Sequence, residues 1–196
     1  MIVKRAYKYR IYPNREQRNF FARTFGCVRL FYNTSLDDMN KLYKEKKEYK
    51  DITPASYKEQ FPFFKDVDSL ALSNAQLNRN KGFKAFFRGQ NNFPKYKAKR
   101  NKQSYSTNNQ NGTVYLSEDG KYISLPKIKN IKIKMHRKFD GVIKTVTVSK
   151  ECDDTYYVSI LVEENIEAKP KSNNSVGIDL GIKSYIVDSN SERIDN

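Results

Sequence analysis

IVKRAYKYRIYPNREQ, residues 2–17, sets the architecture of this chain. Apolar and basic residues alternate over residues 2–12, which predicts an edge-type β-strand with one core face and one basic face. Pro13 ends this strand. Asn14 then has the position and chemistry of a helix N-cap, and Gln17 is placed to complete a capping box. The pattern therefore predicts a sheet whose first strand, within residues 1–13, is followed by a helical insertion.

Two long helices are predicted within the insertion, residues 14–92. The first carries an apolar stripe at spacings of three and four and runs to about Lys47. The members of that stripe are Phe21, Phe25, Val28, Tyr32, Leu36, Met39 and Tyr43. Asp68 or Ser69 can cap the second helix, which is expected to end near Gly89. Its predicted apolar face holds Leu72, Ala75 or Gln76, Phe83, and Phe86 or Phe87.

Residues 93–112 are predicted to be an exposed loop, basic over 93–102 and polar over 103–112. From residue 113 the apolar period changes to two, which indicates short strands through residue 168. A Glu-Asp-Gly turn predicts one hairpin, and a turn at Asp153-Asp154 predicts another. Several short strands at this spacing indicate a small antiparallel barrel that the strand at 2–12 completes. The predicted class is α+β, with a polar linker at 169–174 and a last pair of strands over residues 176–188.

The composition points to a polyanionic partner. Lys and Arg number 37 against 22 Asp and Glu, giving a formal charge of +15. Such a surplus destabilises a compact fold through self-repulsion but raises affinity for nucleic acid. No apolar run is long enough to span a membrane, and the charged first residues lack the apolar core of a secretory signal, so secretion is not expected. Cys27 and Cys152 form no CxxC pair, which argues against a disulfide framework or a zinc knuckle.

The basic segment is the first candidate for contact with nucleic acid. Its cations are expected to contact phosphates, and Phe93 and Tyr96 are expected to stack on bases. The cations are Lys95, Lys97, Lys99, Arg100 and Lys102. The alternative is an ordinary solvated loop. A second candidate is a positive face of the sheet, for which the alternative is an ordinary solvent face; it comprises Lys4, Lys8, Arg10, Lys132, Lys134 and Arg137.

A single acid marks the apolar run Val176-Gly177-Ile178-Asp179-Leu180-Gly181. The run is typical of a buried strand, where an unpaired carboxylate is costly unless it binds a cation. Asp179 is therefore a candidate Mg²⁺ ligand for phosphodiester hydrolysis, or alternatively a capping or turn residue. His136, the only histidine, has no visible partner for catalysis, and Cys27 is expected to be a small buried hydrophobe.

The motifs together resemble the TnpB (OrfB) family of insertion-sequence proteins. The resemblance covers the whole chain and rests on the order and spacing of its motifs rather than on one of them. The motifs are Lys8–Pro13, Phe25–Asn33, Val67-Asp68-Ser69, Phe93–Lys97, Tyr157–Val162 and Val176–Gly181.

This resemblance implies a wedge-like, OB-like barrel, a recognition helical insertion and a RuvC-type nuclease domain of the RNase H-like fold. It implies a guide RNA from the transposon end, a target DNA and cytoplasmic action, with no membrane partner. Base readout is implied for Ser73, Asn74 and Asn78, and a polar loop near target DNA for Ser104, Tyr105 and Thr107. Asp179 matches the first of three catalytic acids that bind Mg²⁺.

The positions of the other two acids and of the family's four-cysteine zinc module are not present in residues 1–196. We therefore expect the N-terminal part of such a protein, including an incomplete RuvC-like domain from residue 175. It is expected to bind nucleic acid, to carry no zinc and not to cleave alone. The alternatives are a stand-alone RNA- or DNA-binding module and a basic structural RNA-binding protein of the ribosomal type.

Overall fold

A computed structural model describes residues 1–46, 52–167 and 174–195, which form two compact units. One unit comprises residues 2–165, and the other comprises Met1 and residues 166–196. The predicted helix end near Lys47 and the predicted linker, except Asn174, lie outside the described residues.

The unit of residues 2–165 combines two long helices with seven strands. Its elements are β1 (Ile2–Tyr12), α1 (Arg15–Lys46), 3₁₀ helices at Pro54–Tyr57 and Pro62–Lys65, α2 (Ser69–Phe87), β2 (Gln103–Asn108), β3 (Tyr115–Leu116), β4 (Tyr122–Leu125), β5 (Ile128–Lys134), β6 (Val142–Lys150) and β7 (Tyr156–Asn165).

These strands form one curled antiparallel sheet in the order β2-β6-β7-β1-β5-β4-β3. Among the described residues the edge strands β2 and β3 do not pair, so the sheet is a half-barrel. The predicted mixture of helices and antiparallel strands is confirmed, but the edge position predicted for β1 is wrong. Strand β1 pairs with β7 from Ile2 to Ile11 and with β5 from Arg10 to Tyr12. Alternation identifies the two faces of a strand, not its neighbours, so a central strand can carry a basic face.

The predicted capping box begins α1. The backbone N–H of Gln17 donates to Asn14 Oδ1 over 2.8 Å, and the backbone N–H of Asn14 donates to Gln17 Oε1 over 2.9 Å. These reciprocal bonds satisfy two N–H groups at the helix start. The predicted apolar stripe is buried against the core from Phe21 to Met39, but Tyr43 is 52% exposed, so its assignment to the core was wrong.

Helix α2 begins where predicted, because Asp68 accepts a hydrogen bond from the N–H of Leu70 over 3.0 Å. Gly89 follows its last turn with a φ of +68°, a conformation that glycine adopts without strain. The buried face includes Arg79, a fully buried cation that the sequence analysis missed. Its position seven residues after Leu72 and four before Phe83 places it in the apolar stripe, which is the signal that could have found it.

Strand β2 corrects the loop predicted at 103–112. Residues Gln103–Asn108 pair with Lys150–Thr145 of β6, and this pairing fixes their alternation. Tyr105 is only 3% exposed and Thr107 is fully buried. A run of Ser, Thr, Asn and Gln shows little periodicity in itself, so the partner strand decides which side chains face the core.

A β-bulge changes the phase of β6. Val142, which the period of two assigns to the same face as Val146, is 59% exposed. The register with β7 shifts between Ile143 and Thr145, so Ile143 lies opposite the buried Val162. One extra residue in a strand turns the following side chains to the other face.

The second unit contains a three-stranded antiparallel sheet, with order β10-β9-β8, rather than the predicted pair of strands. Its strands are β8 (Ile178–Asp179), β9 (Ser184–Asp188) and β10 (Arg193–Asp195). The burial expected for the run around Asp179 is contradicted, since Ile178 is 62% exposed and Leu180 is also exposed. Strands of two, five and three residues are too short to cover an apolar face.

Candidate nucleic-acid interface

The basic segment, residues 93–102, lies along α1. The backbone N–H of Lys97 donates to Asn33 Oδ1 over 2.8 Å, and Asn33 Nδ2 donates to the carbonyl of Lys97 over 2.9 Å. One residue earlier, the Tyr96 hydroxyl donates to Asp37 Oδ1 over 3.1 Å. Side chains of α1 therefore hold the middle of the segment at two successive residues.

Lys97 differs from the other cations of the basic segment. The residue as a whole is exposed, but its Nζ lies 4.3 Å from the centroid of the Tyr32 ring. Burial of this end of the side chain lowers the pKa of the Lys97 ammonium. Lys95, Lys99 and Arg100 are exposed, and the described residues offer them no ion pair. These three side chains are the accessible positive charges of the segment.

Glu151 connects the basic segment to the basic face of β1. Lys102 Nζ lies 2.7 Å from Glu151 Oε1, and Lys8 Nζ lies 3.5 Å from the same oxygen. The hydrogen bond from Lys102 lowers the pKa of Glu151, and the charges of both lysines add to this. The fold thus brings two predicted contact residues together, but it partly neutralises them.

The predicted positive face of the sheet is assembled from β1 and β5. Arg10 lies opposite Lys134 and Tyr12 lies opposite Lys132, and both lysines are exposed. The exposed Arg137 follows β5. Lys4, at the far end of β1, lies opposite Glu163, which pairs with Lys144 over 2.6 Å. Positive charge is therefore concentrated at the Arg10 end of the strand.

The three predicted readout residues of α2 differ in availability. Asn74 Nδ2 donates to the carbonyls of Leu70 and Ser106, so both of its amide hydrogens are engaged. Ser73 Oγ donates to the carbonyl of Ser69 over 3.1 Å and remains at the surface. Asn78 is exposed. A bidentate contact with adenine needs a free donor and a free acceptor on one amide, which in this arrangement only Asn78 of the two asparagines offers.

The residues predicted to contact target DNA from a loop lie in β2 instead. Ser104 is exposed, but the Tyr105 ring packs between Phe21 and Phe25, at centroid distances of 6.3 Å and 5.8 Å. Burial raises the pKa of the Tyr105 phenol. Thr107 is also inside, so the assignment of these two side chains to a surface contact is wrong.

Phe93 belongs to an aromatic cluster at the end of α2. Its ring meets Phe83 and Phe86 edge to face at 5.5 Å and 5.2 Å, while part of it remains exposed. Such a ring is held in place by its neighbours and still offers area for stacking.

Asp179 is exposed in β8, opposite Val187. Within residues 1–46, 52–167 and 174–195, no three His, Cys, Asp or Glu side chains cluster as a metal site. One carboxylate does not supply the ligands that a two-metal site requires, so the donor set does not fit Mg²⁺ by itself. Cys27 is buried as predicted, and burial raises the pKa of its thiol. His136 is exposed, 5.3 Å from the Tyr9 ring.

None of the described helices has the length and apolar character needed to cross a membrane.

Comparison with known proteins gives a family match and two curated relatives. Residues 1–48 match the OrfB family model described as a helix-turn-helix domain. Where described, these residues form one strand and one continuous helix, so the name does not correspond to a two-helix motif here. A Streptomyces pristinaespiralis protein named "Putative RNA-guided DNA endonuclease" is 32% identical over 99% of this chain and 50% of its own length. An Escherichia coli K12 protein with the same name and the suffix InsQ is 27% identical, over 90% and 45%.

The chain spans about half the length of these curated relatives. Among solved structures, a Cas12f1 chain from a complex with sgRNA and target DNA matches 98% of this chain and 57% of its own length. The identity is 14% and the TM-score is 0.42.

Proposed function

The chain belongs to the TnpB/OrfB family of insertion-sequence proteins, and we propose that its residues 2–165 bind a guide RNA and target DNA. The observation that carries this proposal is the basic segment, which contains no acid and presents Lys95, Lys99 and Arg100 to solvent. Cations held on a folded surface neutralise phosphates and release counterions. Phe93 lies beside them with part of its ring free for stacking on an unpaired base.

In this proposal the half-barrel is the wedge-like domain, and the helices of residues 14–92 are the recognition insertion. Residues 175–196 are the opening strands of a RuvC-like nuclease domain, in which Asp179 is one of the metal ligands. The proposed partners are the DNA of an insertion sequence and its transcript, and because both are expected in the cytosol, the protein is proposed to act there. Ser73, Asn78 and Ser104 remain proposed contacts. So do the cations of the predicted sheet face, which are Lys4, Lys8, Arg10, Lys132, Lys134 and Arg137.

Residues 1–196 alone are proposed to bind without cutting. Two-metal hydrolysis needs several oxygen ligands around both ions, and among the described residues no three His, Cys, Asp or Glu side chains cluster, at Asp179 or elsewhere.

Binding is tested by fluorescence anisotropy with labelled single-stranded RNA at several salt concentrations. The variant Lys95→Gln/Lys99→Gln/Arg100→Gln loses three phosphate contacts. Its log–log salt slope should therefore fall by about 2, at roughly 0.7 per contact with a single strand. The control, Lys65→Gln/Lys81→Gln/Lys129→Gln, removes the same charge from exposed positions elsewhere. Equal losses in both variants would show that net charge, not the basic segment, determines binding.

Guide specificity and cleavage need separate assays. RNA from the transposon end should bind more tightly than generic RNA of equal length, and equal affinity would favour a basic structural RNA-binding protein. With Mg²⁺ and labelled DNA, neither the chain nor Asp179→Ala should give products. Cleavage that disappears in Asp179→Ala would contradict the proposed lack of activity.

A further inference from the structure

A polar stripe on α1 holds the basic segment, by direct hydrogen bonds from two of its members and through Gln103 from the third. Its members, Arg29, Asn33 and Asp37, are spaced by four residues, so they lie one above another on the same side of the helix. All three are half-buried. Arg29 and Asn33 belong to the motif Phe25–Asn33, whose apolar residues pack in the core but whose polar residues have no role in the function proposed above.

Each member holds a different part of the segment. Asn33 makes the two bonds to the backbone of Lys97, and Asp37 accepts from the Tyr96 hydroxyl. Arg29 acts through a relay, because its Nη1 donates to Gln103 Oε1 over 2.6 Å.

The relay continues into the segment itself. Gln103 Nε2 donates to the carbonyl of Lys99 over 2.8 Å and to that of Asn101 over 2.6 Å. The backbone that carries Lys99 and Arg100 is thus bound on one side through Lys97 and on the other through Gln103. The side chains of Lys95, Lys99 and Arg100 take no part in these bonds.

We propose that Arg29, Asn33 and Asp37 are positioning residues for nucleic-acid binding, a role that rests on the proposed function. They bind the segment through backbone atoms and Tyr96, and leave Lys95, Lys99 and Arg100 for phosphates. A segment ordered before binding does not lose its conformational freedom on binding, so the complex is tighter for the same contacts. Lys97 belongs to the anchored part of the segment, not to its phosphate-contacting set.

This arrangement predicts a signature that separates positioning from contact. Asn33→Ala releases the backbone of Lys97 but removes no positive charge. The number of phosphates neutralised in the complex stays the same, so the salt slope should stay the same while affinity falls about tenfold, the order expected for ordering a few residues. Lys99→Gln removes a contact, so its slope should fall by about 0.7 for a single strand.

The experiment uses the full chain and two readouts. Hydrogen exchange at the Lys97 amide, which donates to Asn33 Oδ1, directly reports whether Asn33 holds the backbone of Lys97. Anisotropy titrations against single-stranded RNA at several salt concentrations report binding. The matched control is Asn19→Ala, at an exposed asparagine near the start of the same helix. Asn33→Asp keeps the acceptor for the Lys97 N–H but loses the donor, so it should retain part of the protection.

We expect Asn33→Ala to exchange the Lys97 amide faster and to bind about tenfold more weakly at unchanged slope, with Asn19→Ala like the parent chain. Faster exchange with unchanged RNA affinity would overturn the positioning role. Unchanged exchange would show that Asn33 does not hold the backbone of Lys97. If Asn33→Ala fails to fold, Gln103→Ala breaks the relay to Lys99 and Asn101 and leaves the sequence of α1 unchanged. It should give the same fall in RNA affinity at an unchanged salt slope. A parent chain that binds no RNA would refute the proposed function itself, and is recognised before any variant is compared.

Discussion

Arg79→Met should destabilise the unit of residues 2–165 by about 2–3 kcal/mol, the order set by the charge-assisted hydrogen bond to Ile52 and one cation–π contact; the bonds to Asn80 join neighbouring residues of one helix and are not counted. Arg79 is the largest of the fully buried side chains in the described residues. Its Nη2 donates to the carbonyl of Ile52 over 3.0 Å and to Asn80 Oδ1 over 2.9 Å. Its guanidinium carbon lies 5.9 Å from the centroid of the Phe31 ring. The side chain therefore connects α2 to α1 and to the segment that begins at residue 52.

The magnitude follows from these contacts. A hydrogen bond from a charged group contributes about 1.5–3 kcal/mol, and a desolvated cation–π contact contributes about 0.5–2 kcal/mol. Methionine keeps most of the apolar stem and avoids burying a charge, which offsets part of the lost free energy of unfolding. Arg79→Lys keeps the charge but lacks the planar fork that reaches two acceptors, so it should not restore stability.

Urea unfolding of the full chain, followed by circular dichroism, measures this difference. The control is Arg23→Met, at an exposed position of α1, which should change the free energy of unfolding by less than about 0.5 kcal/mol. An equally small change in Arg79→Met would refute the conclusion that the buried guanidinium stabilises the contact between the helices.

Three further outcomes are expected. Asn14→Ala removes the acceptor for the Gln17 N–H and should lower the free energy of unfolding by about 0.5–2 kcal/mol; no change in the urea midpoint would show that the capping box is not stabilising. Thr107→Val replaces a buried hydroxyl that has no hydrogen-bond partner among the described residues, so thermal unfolding should show unchanged or higher stability, and RNA affinity should not change. A loss of RNA affinity in Thr107→Val would show that Thr107 contributes to the nucleic-acid interface. Lys97→Met should leave the salt slope of RNA binding nearly unchanged, whereas Lys99→Met should reduce it by about 0.7; equal slopes in the two variants would contradict the anchored role of Lys97.

Much of the local structure was predictable because it depends on residues close together in the chain. The capping box at Asn14 and Gln17 requires only a spacing of three, and the stripe of α1 requires only the helical period. The Asp68 cap is equally local. The motifs that carried the family resemblance are local in the same sense, and the comparisons support that assignment.

The predictions failed where a distant partner decides the outcome. Tyr105 and Thr107 lie in a polar run without clear alternation, and they are buried because β2 pairs with β6 more than 30 residues away. Val142 is exposed because of a bulge that only the register with β7 reveals. Ile178 and Leu180 are apolar, yet the short strands of their own sheet leave them exposed.

Composition and motifs alone predicted the positive charge and the order of helices and strands. They also identified the set of basic residues that includes any phosphate contacts. Only the tertiary structure divided that set, placing the Lys97 ammonium on Tyr32 while Lys99 stays in solvent. Residues 29, 33 and 37 are separated from the basic segment by more than 50 positions, and no local pattern predicts that they meet it. Local periodicity specifies which elements form, whereas burial and hydrogen bonding of individual side chains depend on how those elements pack.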